Sequence, residues 1–160
     1  MRDMKRVNDV LNHKLFKELI EKIEVYEEER EFCRHNMDHF MTVARIAYII
    51  SLEENINIKK DIIYATGLLH DIGRVKQYED GIDHHIAGVP VAKEILDELE
   101  FTDEEKSMML SAIGSHKEGG PSPLEDIIYR SDKLSRECFK CKAIEECYWS
   151  EEKKNKTILF

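Results

Sequence analysis

Apolar residues recur along this chain every three or four positions, which is the spacing of one face of an α-helix. Leu11, Leu15, Leu19 and Ile23 follow this spacing and predict a first helix over about residues 8–28. Strict alternation of apolar and polar residues, which is typical of strands, is scarce. The pattern therefore predicts an all-α domain, a compact bundle of about six to seven helices. The further helices are expected over about residues 36–52, 59–71, 84–99, 103–116 and 124–137.

Polar and turn-forming residues separate the predicted helices. The charged run at residues 27–31 predicts a solvated turn after the first helix, and Gly73 predicts a helix end. Residues 74–83 have the composition of a loop. Thr102 and Glu105 lie three positions apart and predict a capping box at the start of the fifth helix.

The organisation of the chain is simple. No internal repeat or flexible linker interrupts the pattern, so we expect a single domain over residues 1–160. A cysteine-containing extension is expected at residues 137–160.

Composition and charge narrow the function classes. The 42% of hydrophobic residues predicts a globular domain with a core, and no apolar run approaches the ~20 residues that a bilayer span needs. We therefore expect a cytoplasmic protein without a membrane partner. The net charge of −9 disfavours binding to a nucleic-acid duplex. A small anionic substrate remains compatible with it, because a bound metal ion supplies positive charge locally.

Metal-binding side chains stand out near the ends of several predicted helices. His70 and Asp71 follow the apolar stretch 62–69, where an imidazole and a carboxylate are costly to bury without a partner. In a helical bundle, such side chains converge from facing helices on a buried metal site. The other candidates are His39, His84 and His116, which lie near helix ends, and Asp132, which lies inside the sixth predicted helix.

The order of these residues resembles that of the HD-domain metal-dependent phosphohydrolases, and the resemblance implies a motif core at about residues 33–136. The segment 68–73, Leu-Leu-His-Asp-Ile-Gly, is similar to the central motif of this family, and the segment 128–134 is similar to its final motif. His84 and His116 resemble the extra histidines of its two-metal branch. Within that branch, the chain is similar to the bacterial symmetrical diadenosine tetraphosphate hydrolases.

The resemblance implies a ligand set and a reaction. His39, His70 and Asp132 would hold one ion, His84 and His116 a second, and Asp71 would bridge them. Two divalent ions of Fe, Mn, Co, Ni or Zn suit these residue types better than calcium. They would activate water for attack on a phosphoester or phosphoanhydride of a nucleotide or small phosphorylated metabolite, with Asp71 and His70 as the catalytic residues.

Some assignments stay open. His85 competes with His84 for one ligand position, and the spacing to Gly88 favours His84. His35 lies one helical turn before His39, so it could contact substrate, support a ligand or be a polar surface residue. Non-catalytic functions are the alternative to an enzyme: a regulatory module that binds metal or nucleotide, or a redox-sensing protein. A homodimer is compatible with either.

Substrate phosphates need cationic partners. Arg74 follows the central dipeptide and is the best candidate, because its planar guanidinium matches a phosphate. Lys117 is the second candidate, and His35 completes the expected substrate-binding residues. The alternative for both cations is an ordinary solvated loop position. Lys133 could pair with the neighbouring Asp132.

Three of the four cysteines cluster near the end of the chain. Cys138 and Cys141 have the two-residue spacing of thiolate metal sites, and Cys147 follows five residues later. Cys33 could complete a set of four. Such a set predicts structural zinc or an iron–sulfur cluster, and the alternative is reduced cysteines packed as small hydrophobic residues.

Overall fold

The computed structural model describes residues 4–160, and the helices it contains confirm the all-α prediction. None of these helices is both long and apolar enough to cross a membrane. A short 3₁₀ turn at Cys138–Lys140 follows the last helix. The eight α-helices of the described residues are α1 (Lys5–Asn12), α2 (Lys14–Tyr26), α3 (Met37–Glu53), α4 (Lys60–Leu69), α5 (Arg74–Asp80), α6 (His84–Asp97), α7 (Asp103–Ser115) and α8 (Pro123–Leu134).

The first predicted helix is two helices. The chain takes an extended conformation at His13, with ψ of 132°, which separates α1 from α2. The apolar stripe of α1 contributes the buried Val7 and Val10 and packs mainly on α4, whereas α2 packs on α1 and α5. The chain must turn between them because the two apolar faces have different partners.

The segment predicted as a loop after Gly73 contains α5. Only Val75 of this short helix is buried, so its sequence shows little apolar periodicity. The helix ends at Gly81, which has a left-handed φ of 71°. Gly81 is therefore the glycine stop in this region. The helix end predicted near Gly73 is present, since α4 ends at Leu69, but Gly73 has an ordinary φ of −70° and is not a left-handed helix stop.

Helix α4 lies at the centre of the bundle. All residues from Ile62 to Leu69 are buried, because α1, α3, α7 and α8 pack around this helix. Gly67 lets α3 approach closely, since a Cβ atom there would lie 2.8 Å from the Cβ of Ala44. The C-terminal end of α4, which carries His70 and Asp71, is thereby held in the interior.

Gly73 allows an equally close contact with α6. A Cβ atom on Gly73 would lie 2.0 Å from the carbonyl oxygen of His84 and 2.4 Å from the backbone nitrogen of Gly88. The absent side chain therefore lets the start of α6 lie against the turn that follows Asp71. This contact places His84 beside the carboxylate.

Capping boxes fix the starts of two helices that carry candidate ligands. The predicted box of Thr102 and Glu105 is present at the start of α7, and Ser122 with Glu125 forms a second one at the start of α8. Each box satisfies two backbone N–H groups that the helix itself leaves unpaired. Helix α7 leads to His116, and the last turn of α8 carries Asp132.

Candidate metal centre

His70 and Asp71 lie in the turn that ends α4, with 0% and 1% of their surface exposed. His39 lies in the first turn of α3. Asn36 caps this helix, and its side-chain Oδ1 accepts a hydrogen bond from the His39 backbone N–H. Asp132 reaches the same point from α8. The bundle thus brings residues from three helices to one buried position.

These residues form a first group of donor atoms. Nε2 of His39 lies 3.4 Å from Oδ2 of Asp71 and 3.4 Å from Oδ1 of Asp132. Nε2 of His70 lies 3.2 Å from the same Asp71 oxygen. One donor atom from each of the four residues fits within a mutual distance of 4.8 Å, which is close enough to surround a single ion.

A second group lies on the other side of Asp71. Nε2 of His84 and Nε2 of His116 each lie 3.4 Å from Oδ1 of Asp71, and the two nitrogens are 3.1 Å apart. His84 is the first residue of α6, and His116 follows the end of α7. Asp71 therefore divides its two oxygens between the two groups, with Oδ2 facing the first and Oδ1 facing the second.

Hydrogen bonds to the backbone orient two of the imidazoles. Nδ1 of His70 lies 2.7 Å from the carbonyl oxygen of Gly67, and Nδ1 of His116 lies 2.7 Å from that of Ile113. A carbonyl oxygen only accepts hydrogen bonds, so each Nδ1 carries the proton. In the neutral ring, the lone pair is then on Nε2, directed into the cluster.

Side chains orient the other two histidines in the same way. Nδ1 of His84 lies 3.0 Å from Oε1 of Gln77, which accepts its proton. Nδ1 of His39 lies 3.2 Å from Oγ of Ser135, and that hydroxyl donates its own hydrogen to the carbonyl oxygen of Asp132. Both rings therefore also direct a bare Nε2 toward the carboxylates.

Several buried polar atoms of the two donor groups lack hydrogen-bond partners, which indicates that these groups can hold metal ions. Nε2 of His70 and Oδ2 of Asp71 are buried without a well-aligned hydrogen bond. The facing Nε2 atoms of His84 and His116 have no proton to share when both rings are neutral. A cation between these atoms would satisfy all of them, and imidazole with carboxylate suits divalent transition metals.

The charge balance of the cluster also favours a cation. Burial opposes ionisation of Asp71, yet the Arg74 guanidinium and His70 hold the pKa of this carboxyl well below its usual range. Burial disfavours a charge on His70, but the carboxylates of Asp71 and Asp132 outweigh it and raise its pKa to about 9. Burial lowers the pKa of His84 to about 3. Without a metal, His70 therefore carries a proton at neutral pH, and a cation bound between the ionised carboxylates of Asp71 and Asp132 would take the place of that proton.

Glu27 is a buried partner of the site, so the prediction that residues 27–31 are all solvated is wrong at this position. Its carboxylate accepts a hydrogen bond from the backbone N–H of His35 and contacts Nδ1 of the same residue, both at 2.6 Å. The Tyr78 hydroxyl also donates to Glu27, at 2.6 Å. The spacing from Ile23 to Glu27 is one helical turn, which is the sequence signal for its inward position.

His35 is buried and faces the two donor groups around Asp71. Its Nε2 lies 3.9 Å from Oδ2 of Asp71. Burial lowers the pKa of His35 to about 4, while the contact with His35 overcomes burial and lowers the pKa of Glu27 to about 2. At neutral pH, Glu27 is therefore ionised and accepts the Nδ1 proton of His35, which leaves Nε2 of His35 as an acceptor.

The predicted cationic residues lie around the cluster in different degrees of contact. Arg74 donates through Nε to Oδ1 of Asp71 at 3.2 Å and is largely buried. Lys133 contacts Oδ2 of Asp132 at 2.6 Å, as a pairing of these neighbours predicts. Lys117 is half exposed, with its Nζ 3.5 Å from Asp83.

Arg136 contacts the first donor group, whereas His85 lies outside both groups. Arg136, which sequence reasoning missed, directs one guanidinium nitrogen to Nε2 of His39 at 3.3 Å and to Oδ1 of Asp132 at 3.4 Å. Its position one helical turn after Asp132 is the signal that could have identified it. His85 is absent from both donor groups of the described residues, whereas His84 belongs to the second.

A cavity of about 300 Å³ opens onto the cluster. His35, His84 and Asp132 line its floor, and all four cysteines line its wall together with Phe32, Tyr148 and Trp149. Its cationic lining contrasts with the net charge of −9 for the whole chain. The basic residues that line it are Arg30, Arg74, Lys117, Lys133, Arg136 and Lys154.

Comparisons with known proteins identify the family. The family model described as "HD domain" matches residues 36–137, which include every residue of the two donor groups. An uncharacterized protein of Clostridium beijerinckii is 41% identical over 98% of this chain and 100% of its own length. Ribonuclease Y 1 of Pediococcus pentosaceus is 29% identical over 71% of this chain but only 20% of its own length. No solved structure matches this chain significantly. The match over more than half of the residues shows that this chain belongs to the HD domain family, which generally comprises metal-dependent phosphohydrolases.

Proposed function

We propose that this protein hydrolyses a phosphoester or phosphoanhydride bond of a nucleotide or similar small phosphorylated metabolite, using two divalent transition-metal ions. The observation that carries the proposal is the position of Asp71, whose two carboxylate oxygens face two separate groups of donor atoms. A carboxylate placed in this way can bind one ion through each oxygen. Two such ions supply Lewis-acid polarisation of a phosphoryl oxygen and a water of lowered pKa.

The protein's own residues would hold this centre rigid. Backbone carbonyl groups fix the rings of His70 and His116, so neither ring needs to reorient when an ion binds. His39, His84 and Asp132 would complete the donor sets, and Asp71 would contribute one oxygen to each set. The buried surroundings exclude bulk water, which strengthens electrostatic interactions with a phosphate.

Arg74 would position the substrate phosphate. Its Nε contacts Asp71, and the side chain also lines the cavity, so its remaining donors can reach a phosphoryl oxygen beside the centre. Lys133 and Lys117 line the same cavity and add positive charge. This local charge attracts an anion to a protein that is acidic overall.

His35 would handle a proton near the reacting phosphorus. Because Glu27 accepts its Nδ1 proton, Nε2 of His35 can accept a hydrogen bond or a proton from water or a substrate hydroxyl. Its distance of 3.9 Å from Asp71 places this nitrogen at the edge of the cluster. Glu27 positions His35 and increases its basicity.

The cavity wall supports a nucleotide as the substrate. Phe32, Tyr148 and Trp149 offer aromatic surface to a base while the basic residues face the phosphates. The likeness to a ribonuclease over part of its length also favours a nucleotide phosphoester. Diadenosine tetraphosphate, nucleoside mono-, di- and triphosphates and a short single-stranded RNA therefore form the appropriate substrate panel.

The test combines metal analysis with turnover. Protein stripped of metal and reloaded with manganese, iron, cobalt, nickel or zinc should bind about two ions in the histidine site and release phosphate or a nucleotide from one compound of the panel. Asp71→Asn should lose both properties. His13→Ala, whose ring contacts Glu98 away from the cluster, should retain both.

Two outcomes would contradict the proposal. Full activity of metal-free protein would refute the metal-dependent mechanism. Metal-loaded protein that binds a nucleotide but hydrolyses no compound of the panel would favour the alternative, a regulatory module that binds metal or nucleotide.

A further inference from the structure

The four cysteines converge on one wall of the cavity although they come from two distant parts of the chain. Cys33 lies in the connection between α2 and α3, whereas Cys138, Cys141 and Cys147 lie in the extension after α8. All four line the same cavity. The fold therefore brings Cys33 to the same cavity as the other three cysteines.

The thiols are free and close enough to interact. None of the four forms a disulfide in the described residues. Burial raises the pKa of the Cys33 thiol, and the thiols of Cys138, Cys141 and Cys147 raise it further against the opposing effect of Arg136. Four neighbouring thiols with no covalent partner are the donor set that soft metals and iron–sulfur clusters use.

The spacing of the sulfurs favours a group larger than one ion. A tetrahedral zinc with Zn–S bonds of about 2.3 Å draws its four sulfurs to within about 4 Å of one another. Among residues 4–160, no three cysteine sulfurs lie within 4.8 Å of one another. An iron–sulfur cluster keeps its thiolates farther apart, because its own iron and sulfide atoms lie between them.

The extension that carries three of the cysteines has little other reason to be ordered. In residues 137–160, Cys138 is the one buried apolar residue, and the 3₁₀ turn is the one helical element. Nδ2 of Asn155 donates to the carbonyl oxygens of Lys133 and Arg136, which ties the extension to the end of α8. A segment with so small an apolar core gains order from a bound metal group, whose binding energy contributes to folding.

We propose that Cys33, Cys138, Cys141 and Cys147 bind an iron–sulfur cluster that fastens the extension to the connection before α3. The cluster holds the cavity wall formed by Tyr148 and Trp149 beside the histidine centre. Its role is structural, and the site is separate from the donor groups around Asp71. The proposal does not depend on the hydrolase activity.

The test is the composition of the full chain purified without oxygen. We expect acid-labile sulfide with at least an equal amount of iron, since the histidine centre can also hold iron, together with the visible charge-transfer absorption of an iron–sulfur cluster. Cys141→Ser should lose most of the sulfide and of this absorption. Lys142→Ser places the same new side chain at the adjacent exposed position and should retain both.

A further variant separates the two metal sites. Asp71→Asn should keep the sulfide and the visible absorption, even though it removes a ligand of the histidine centre. Zinc without sulfide, or metal-free protein with four thiols that react with a thiol reagent, would overturn the proposal in the unmutated chain. Loss of sulfide in Asp71→Asn but not in Cys141→Ser would overturn the assignment of the ligands.

Discussion

The substitution Gly73→Ala should damage the metal centre without touching a ligand. The new Cβ atom would lie 2.0 Å from the carbonyl oxygen of His84, whereas ordinary contacts begin at 3.4 Å. The start of α6 must therefore retreat by about 1.4 Å or the turn after Asp71 must move by as much. Either movement separates His84 from Oδ1 of Asp71.

The expected effects are large for a single methyl group. Overpacking at this contact should lower the free energy of unfolding by about 1–3 kcal/mol. A misplacement of about 1 Å in a catalytic constellation can cost about 100-fold in rate, so kcat should fall by about that factor. The ion held by His84 and His116 should bind more weakly. The ion held by His39, His70 and Asp132 should bind with unchanged affinity.

Metal titration, kinetics and thermal unfolding together provide the assay. Gly81→Ala is the matched control, because its left-handed φ costs about 1–2 kcal/mol for alanine but no atom lies within 4 Å of the new Cβ. It should lose stability and keep both ions and kcat. A folded Gly73→Ala variant with wild-type metal content and kcat would refute the reasoning that the close contact of this glycine with α6 positions His84.

Three further predictions concern the surroundings of the centre. Glu27→Gln should lower kcat about 10–100-fold with unchanged metal content, because His35 loses its carboxylate partner; unchanged kcat would contradict the role, and exposed Glu28→Gln is the control. Arg74→Ala should lower kcat/KM by about 10–100-fold through a lost charge-assisted hydrogen bond to phosphate, whereas Lys76→Ala should not; equal kinetics of the two variants would refute the assignment. Glu105, hydrogen-bonded to Arg6, has a pKa lowered to about 2 from 4.5, so it stabilises the fold fully above pH 4.5 and loses this contribution as pH falls through about 2. Between pH 4.5 and about 2, the Tm of Glu105→Gln should therefore change less than that of the wild type. Parallel curves of Tm against pH for the two proteins would contradict this prediction.

The sequence predicts the helices and the donor residues because both signals are local. Periodic apolar residues locate most of the helices, and His39, His84 and His116 are visible as metal-binding types near predicted helix ends. The family resemblance then groups them. What the sequence lacks is the distance between them, since the separation of the two Asp71 oxygens toward two groups is a property of the packed bundle.

The errors share a physical origin in tertiary packing. Helix α5 has one buried residue, so its apolar signal is too weak to distinguish it from a loop. Glu27 is predicted to be solvated and Arg136 has no predicted role, yet each charged side chain is buried against a partner from elsewhere in the chain. Gly73 shows no unusual φ, and its importance is visible only once α6 lies against it.

Anomalous scattering from crystals of the manganese-loaded protein tests the central claim most directly. We expect two peaks about 3.5–4 Å apart, one among His39, His70 and Asp132 and the other beside His84 and His116, with one oxygen of Asp71 on each. A single peak, or two peaks that do not share Asp71, would contradict a centre bridged by this residue.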